Sequence, residues 1–298
     1  SDPARAQALW LAARRSRAAL ELFRPCISKS DYRAAREEVT RVGRAVGARR
    51  DVDAAIAICQ AVAAEMGPQE AEGVGRAIDR LRREQAGLNR ELARYVHGRR
   101  LQALKVRTED LAGHAVRPVT GQRPPEPAPL AELPRPAVKL VARRLARLRD
   151  LAPAALDPGS ARDHHRMRVA AERLRYALEL TAEALGSQAH TARRAARGLQ
   201  EVLGEVRDCD LAVEPLRDTI AELEREDVAV VLDRARGSRD LDPILVQAAP
   251  NRAAYRGPEL VLVHLAARRQ MMFERFRRLW LEQSRQGVWV ALETGLRK

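Results

Sequence analysis

The sequence predicts an all-α protein of two antiparallel four-helix bundles produced by internal duplication. Three observations carry this. Residues 162–181, RDHHRMRVAAERLRYALELT, contain no Gly or Pro and are long enough for roughly five helical turns. At about 100° per residue, Met167, Ala170, Ala171, Leu174, Ala177 and Leu178 gather on one side. His164, His165, Arg168, Glu172, Arg175 and Glu179 fall on another, polar face, and Arg166 and Arg173 flank the apolar one. Second, the pattern recurs. AARRSRAALEL at 12–22 and AAERLRYALEL at 170–180 agree at eight of eleven positions, matching Arg15 with Arg173, Arg17 with Arg175 and Glu21 with Glu179. A further pair, GARRDVD at 47–53 and GEVRDCD at 204–210, shares G-x-x-R-D-x-D at nearly the same offset of about 157 residues. Third, aromatic residues are only 3% while Ala, Leu and Arg dominate, as expected for packed helices without strands.

Taken in order, residues 3–21 read as a first helix, with Asp2 as N-cap and Pro3 in the first turn. Pro25 ends it. A second helix is expected over 31–46, closing at Gly47, and a third from Arg50 to Met66, stopped by Gly67-Pro68. Residues 70–111 form a fourth, with a break or distortion at His97–Arg100. Seven of the sixteen prolines then crowd into 117–136, a stiff, exposed linker and the best boundary in the chain. The expected division is therefore a first bundle over 1–116, the linker, and a second bundle over 137–298. The second bundle opens at 137–151, where Lys139, Arg143 and Arg147 repeat as a basic stripe beside Leu140, Arg144, Leu148 and Leu151. After Pro158-Gly159 come the repeated helix, a helix over 187–203, and another from Gly204 to about Arg236. The segment 237–258 reads as a loop with short helical pieces, and 259–286 as a last long helix anchored by Trp280.

Charge narrows the partner. Lys and Arg number 54 against 40 Asp and Glu, a net +14, and only Lys29, Lys105, Lys139 and Lys298 of the cations are Lys. Such an excess calls for a polyanion: nucleic acid, polyphosphate or an acidic membrane surface. Arginine suits phosphate because its planar fork donates two parallel hydrogen bonds. Cys26, Cys59 and Cys209 are scattered and lack C-x-x-C spacing, which reads as small core residues in a reducing compartment. No apolar run is long enough to cross a bilayer, and no signal peptide is visible, so a cytoplasmic location without membrane insertion is expected.

The string His165-x-x-Arg168-Val169-x-x-x-Arg173-Leu174-Arg175-Tyr176-x-Leu178-Glu179, followed by Leu199-Gln200-x-x-Leu203-Gly204-x-x-x-Asp208-x-Asp210, closely resembles the CHAD domain. The resemblance runs through nearly the whole chain, closely in the second half and loosely in the first. It implies two four-helix bundles related by a pseudo-twofold axis, basic grooves meeting in a central channel, and inorganic polyphosphate as ligand, with phosphate or sulfate as stand-ins. It also implies association with polyphosphate granules. The first half departs from the pattern: Gln7 stands in place of His165, Trp10 of Arg168 and Ser16 of Leu174. In the second half, Glu172 occupies a position usually basic in the family.

His164-His165 lacks the companions of a zinc site, since no H-E-x-x-H or Cys/His cluster occurs. His165 is better read as a neutral or switchable donor toward an anion, or as a structural side chain; if protonation aids binding, it responds near its unperturbed pKa of about 6.5. Asp208 and Asp210 are two apart and on a helix do not face the same way, which argues against a shared metal or acid–base pair. Asp208 and its counterpart Asp51 are expected to orient arginines, with helix N-terminal capping and dipole compensation as the alternative. There is no P-loop, dinucleotide fingerprint or nucleophile elbow. The sequence thus predicts a non-enzymatic binder without metal or cofactor. Its phosphate-binding residues are expected to be His165, Arg168, Arg173, Arg175, Lys139, Arg143, Arg147 and Arg207, joined by Arg14, Arg15, Arg17 and Arg50 from the first half. Nucleic acid is the alternative ligand, weakened by the scarcity of aromatic residues for base stacking. A His-dependent metal or phosphoryl-transfer enzyme and an inert helical scaffold are the remaining alternatives.

Overall fold

A computed structural model of the chain describes residues 3–116, 135–236 and 249–297. Among these the fold is all-α, with nine α-helices, one short 3-10 turn and no strand. The helices are α1 (Pro3–Leu22), α2 (Lys29–Ala63), α3 (Pro68–Tyr95), α4 (Gly98–Val116), α5 (Arg135–Ala155), α6 (Ala161–Leu185), α7 (Ser187–Arg234), α8 (Arg256–Arg285) and α9 (Val288–Gly295). The Pro-rich segment expected at 117–136 lies outside the described residues, except for Arg135 and Pro136, which begin α5. Most of the loop expected at 237–258 lies outside them as well.

Two expected helix ends are corrected. Gly47 does not close a helix, and neither does Gly204: α2 and α7 run through both positions unbroken. A helical Gly costs about 1 kcal/mol relative to Ala. Burying a Val or Leu side chain is worth about 1.5–3 kcal/mol. Val46 and Val52 beside Gly47, and Leu203 and Val206 beside Gly204, are all buried, so packing outweighs the local preference. The break expected at His97 does occur, between α3 and α4. There the Arg100 guanidinium donates to the Arg94 carbonyl at 2.9 Å, satisfying a carbonyl at the end of α3.

The chain forms two compact units. The first comprises the described residues of Ser1–Ala48, Asn89–Glu205 and Met272–Lys298, and the second those of Arg49–Leu88 and Val206–Met271. In the first unit α5 and α6 pack side by side and α1 lies against both. Its main core joins Leu148, Met167, Leu174, Leu178, Leu199 and Phe276, and Trp280 stacks on Trp289 with ring centroids 5.7 Å apart. All six residues of the apolar face of α6 are buried, as their spacing predicts.

The second unit has its own core around Ile56, Cys59, Val74, Leu81, Leu216 and Leu265. Burial pushes the Cys59 thiol up to about 11, and Cys209 is buried beside it. Cys26 does not share this environment: it is exposed, at the turn after α1, where no core surrounds it. No described helix is long and apolar enough to cross a membrane.

One close approach in the second unit is testable. A Cβ on Gly73 would lie 1.9 Å from the Ala254 carbonyl oxygen, and one on Gly257 would lie 1.9 Å from that of Glu70. Each glycine makes room for the backbone beside the other. Gly73→Ala is expected to cost about 1–3 kcal/mol through overpacking. Gly75→Ala, at a position with nothing within 4 Å, should stabilise by up to about 1 kcal/mol through helix propensity. Urea denaturation midpoints shifting in opposite directions would confirm the pair. Equal shifts would remove close approach as the cause.

Candidate anion-binding site

The site is built on α6, whose first turn is fixed by its own side chains. Ser160 Oγ donates to Asp163 at 2.7 Å, and Arg166 donates to the other oxygen of the same carboxylate at 3.1 Å. These two hydrogen bonds hold Asp163 below the usual carboxylate range. The adjacent histidines then diverge. His164 is buried in the core against Phe273, with ring centroids 5.2 Å apart, which corrects its placement on a solvated polar face. His165 is partly exposed and lines a cavity of about 240 Å³.

That cavity lies between α5 and α6, and its polar wall is entirely basic. Arg144 and Arg147 come from α5, and His165, Arg166 and Arg173 from α6. Arg173 is reached by solvent but is ringed by protein at the cavity wall. Its pKa is lowered by desolvation first and then by the positive fields of Arg144 and Arg17, with Arg36 adding to them and Glu21 opposing. Three guanidiniums from α1, α2 and α5 therefore act on Arg173 of α6, and the carboxylate that opposes them, Glu21, accepts a hydrogen bond from Arg144. Among the described residues Arg17, Arg36, Arg147 and Arg173 make no ion pair. Like charges at such spacing disfavour one another, and an anion placed among them relieves the repulsion.

Other expected ligands are already engaged. Glu172, only 1% exposed, is ion-paired with Arg14 across the α1–α6 contact and with Arg168 at 3.5 Å. The Arg14 guanidinium also sits over the Trp10 ring, 3.8 Å from its centroid. Arg175 donates to Gln200 at 2.7 Å and to Glu179 at 3.2 Å, and stacks 3.9 Å over Tyr176. Arg15 reaches Glu179 at 2.8 Å. Two of the positions where the repeats differ are gathered here. Trp10 and Arg168 are equivalent in the repeat, as are Arg14 and Glu172, and all four meet at the α1–α6 contact. The polar face of α6 is thus largely sequestered rather than solvated.

Of the residues expected from sequence, His165, Arg147 and Arg173 are brought together in the cavity, with Arg17 close enough to act on Arg173. Lys139 and Arg143 are exposed on the same stripe of α5 as Arg147, without an ion pair among the described residues. Arg50, Asp51, Arg207 and Asp208 belong to the second unit. There Arg207 approaches Asp51 at 4.0 Å. The last Asp of each repeated motif also holds an arginine in that unit. Asp53 is ion-paired with Arg49 and accepts a hydrogen bond from Gln85 at 2.7 Å, while Asp210 accepts one from Arg269 at 2.6 Å. Sequence reasoning missed Arg36, Arg144 and Arg166 as members of the basic cluster. Arg144 shares the leucine-spaced side of its helix, and the signal for it was only its adjacency to Arg143.

A family profile for the CHAD domain matches residues 1–217. The chain belongs to the CHAD family. The match spans all the residues that line the cavity, and it ends within α7. Comparison with curated proteins gave no match. Among the described residues no group of three or more His, Cys, Asp or Glu is placed to hold a metal ion. The CHAD cavity is lined by four guanidinium groups and one imidazole.

Proposed function

We propose that this CHAD domain binds inorganic polyphosphate without turning it over, holding a stretch of the chain in the α5–α6 cavity. The observation that carries the reading is a cavity lined by Arg144, Arg147, His165, Arg166 and Arg173, in which Arg173 also feels the charges of Arg17 and Arg36 and of one carboxylate, Glu21. The cluster carries three more cations than carboxylates, four arginines less Glu21, beside a cavity of about 240 Å³. A linear polyanion satisfies several guanidiniums at once without bringing carbon skeleton or bases that need a pocket of their own. His165 serves as a further donor in the cavity wall. Family membership supports a polyphosphate-related role, and from it follow the expected cytoplasmic location and recruitment to polyphosphate granules.

The same proposal includes the origin of the fold. The two sequence halves are products of one duplicated helical unit, each contributing a four-helix bundle with the boundary at 117–136, related by a pseudo-twofold axis through the Arg14–Glu172 pair. A residue near such an axis meets its own repeat equivalent, and Arg14 meets Glu172. Crossed pairs support it too: Arg15 contacts Glu179, while Glu21, the equivalent of Glu179, acts on Arg173, the equivalent of Arg15.

Competition binding at one fixed ionic strength tests the function. Long-chain polyphosphate should displace both single-stranded RNA and double-stranded DNA, and no orthophosphate should be released over hours. Preferential binding of either nucleic acid, or steady release of phosphate, would overturn the reading.

A further inference from the structure

We infer that helix α2 carries a second anion-binding segment, a groove that takes a further stretch of the same polyphosphate chain. This rests on the reading of the α5–α6 cavity as an anion site and extends it, through Arg36, to Arg33, Thr40 and Arg44. The groove is open, about 810 Å³ in volume, and lies in the first unit beside α3. Arg33, Arg36, Thr40 and Arg44 line it from α2. Their steps of three, four and four residues place all four on one helical face, and at about 1.5 Å per residue the stripe runs for about 16 Å.

The charges along the groove are not balanced by the protein. Arg41 is ion-paired with Glu37 at 2.6 Å, whereas Arg33, Arg36 and Arg44 are exposed and make no ion pair among the described residues. Glu91 is the other carboxylate on the wall. Counting Arg33, Arg36, Arg41 and Arg44 against Glu37 and Glu91 leaves an excess of two positive charges. Arg36 links this groove to the first site, because its field also reaches Arg173. The cationic tract therefore continues from the cavity wall onto α2.

The groove favours an anion without bases. Its two aromatic rings, Tyr32 and Tyr95, are committed elsewhere. Tyr32 packs against the Leu20–Val39 cluster beneath the Arg24 guanidinium, and Tyr95 packs against the Trp10–Val46 cluster. Each ring therefore has only part of its surface left for a stacked base.

A second segment changes how affinity depends on chain length. A short chain fills one site, whereas a long one gains the other by effective concentration. The test uses the full chain with tripolyphosphate and long-chain polyphosphate as probes. Arg36 is left intact because it serves both sites. The variant R33Q/R44Q should bind tripolyphosphate as the wild type does, but bind long-chain polyphosphate about tenfold more weakly. Its log–log salt slope for the long chain should fall by about 1.4, two lost phosphate contacts at roughly 0.7 each. An unchanged long-chain affinity and slope overturns the second segment while leaving the cavity standing. Equal weakening for both probes also overturns it, since the groove would then not be separable from the first site. R173Q serves as the reciprocal control and should weaken both probes. If it weakens neither, the cavity reading fails on its own account. A wild type that binds neither probe overturns both, and a loss confined to single-stranded RNA would assign the groove to nucleic acid.

Discussion

Replacing Arg147 and Arg173 together with Gln lowers the affinity for long-chain polyphosphate about a hundredfold and leaves the protein folded. Charge-assisted hydrogen bonds contribute about 1.5 kcal/mol each here, the low end of their range, because both side chains are open to solvent. Two such contacts amount to about 3 kcal/mol, or roughly two decades in Kd. The salt slope should drop by about 1.4 in parallel. Stability should move the other way. Arg173 is held among Arg144, Arg17 and Arg36 at an electrostatic cost, so its removal relieves repulsion in the unbound protein. The denaturation midpoint of the double variant is therefore expected to equal or exceed that of the wild type. Weaker binding with undiminished stability distinguishes a ligand-holding cluster from a structural one. If binding and midpoint fall together, the arginines support the fold, and the assignment of the cavity is wrong.

The second large effect is on stability and centres on Glu172. Glu172→Leu removes the shared partner of Arg14 and Arg168, whose side chains are only 19% and 13% exposed. Two guanidiniums would then lose their shared counter-charge in a poorly hydrated contact. Breaking a buried ion pair from one side costs about 3–5 kcal/mol. About 3 kcal/mol is expected here, because both arginines retain some access to water. The triple variant R14M/R168L/E172L should recover most of the loss, since apolar replacement of a whole buried ionic group is commonly neutral or stabilising. Urea denaturation measures both. A loss below about 1 kcal/mol in the single variant, or no recovery in the triple, would show that the group does not hold α1 to α6. In either variant binding should weaken far less than in the arginine double variant, because Glu172 does not line the cavity.

These two expectations separate roles that the primary structure presents as one. On α6 the residues His164, His165, Arg168, Glu172, Arg175 and Glu179 share a single polar stripe. In the folded protein His164 packs on Phe273, Glu172 balances two arginines, and Arg175 is tied to Gln200 and Glu179. Of that stripe His165 alone lines the cavity, beside Arg166 and Arg173 from the flanks of the helix and two arginines from α5.

Helical class, the apolar face of α6, the break at His97 and the repeated motifs could all be read from the chain. Each depends on residues near one another in sequence, where spacing at 3.6 residues per turn reports burial directly. Family membership was legible for the same reason, through a string of nearby residues on α6 and α7. The continuity of α2 through Gly47 and of α7 through Gly204 was not, because a local preference of about 1 kcal/mol is set against burial that only packed neighbours supply. The partners of the arginines were not legible either. A guanidinium at the end of a long side chain can reach a carboxylate on any adjoining helix, and sequence spacing does not say which helices adjoin. Arg14 meets Glu172 over a separation of 158 residues, and Arg144 meets Glu21 over 123. Such long-range pairings leave Arg17, Arg36, Arg147 and Arg173 without an ion pair among the described residues. Composition alone fixes the excess of positive charge, while its placement follows from which cations the packed helices leave unneutralised.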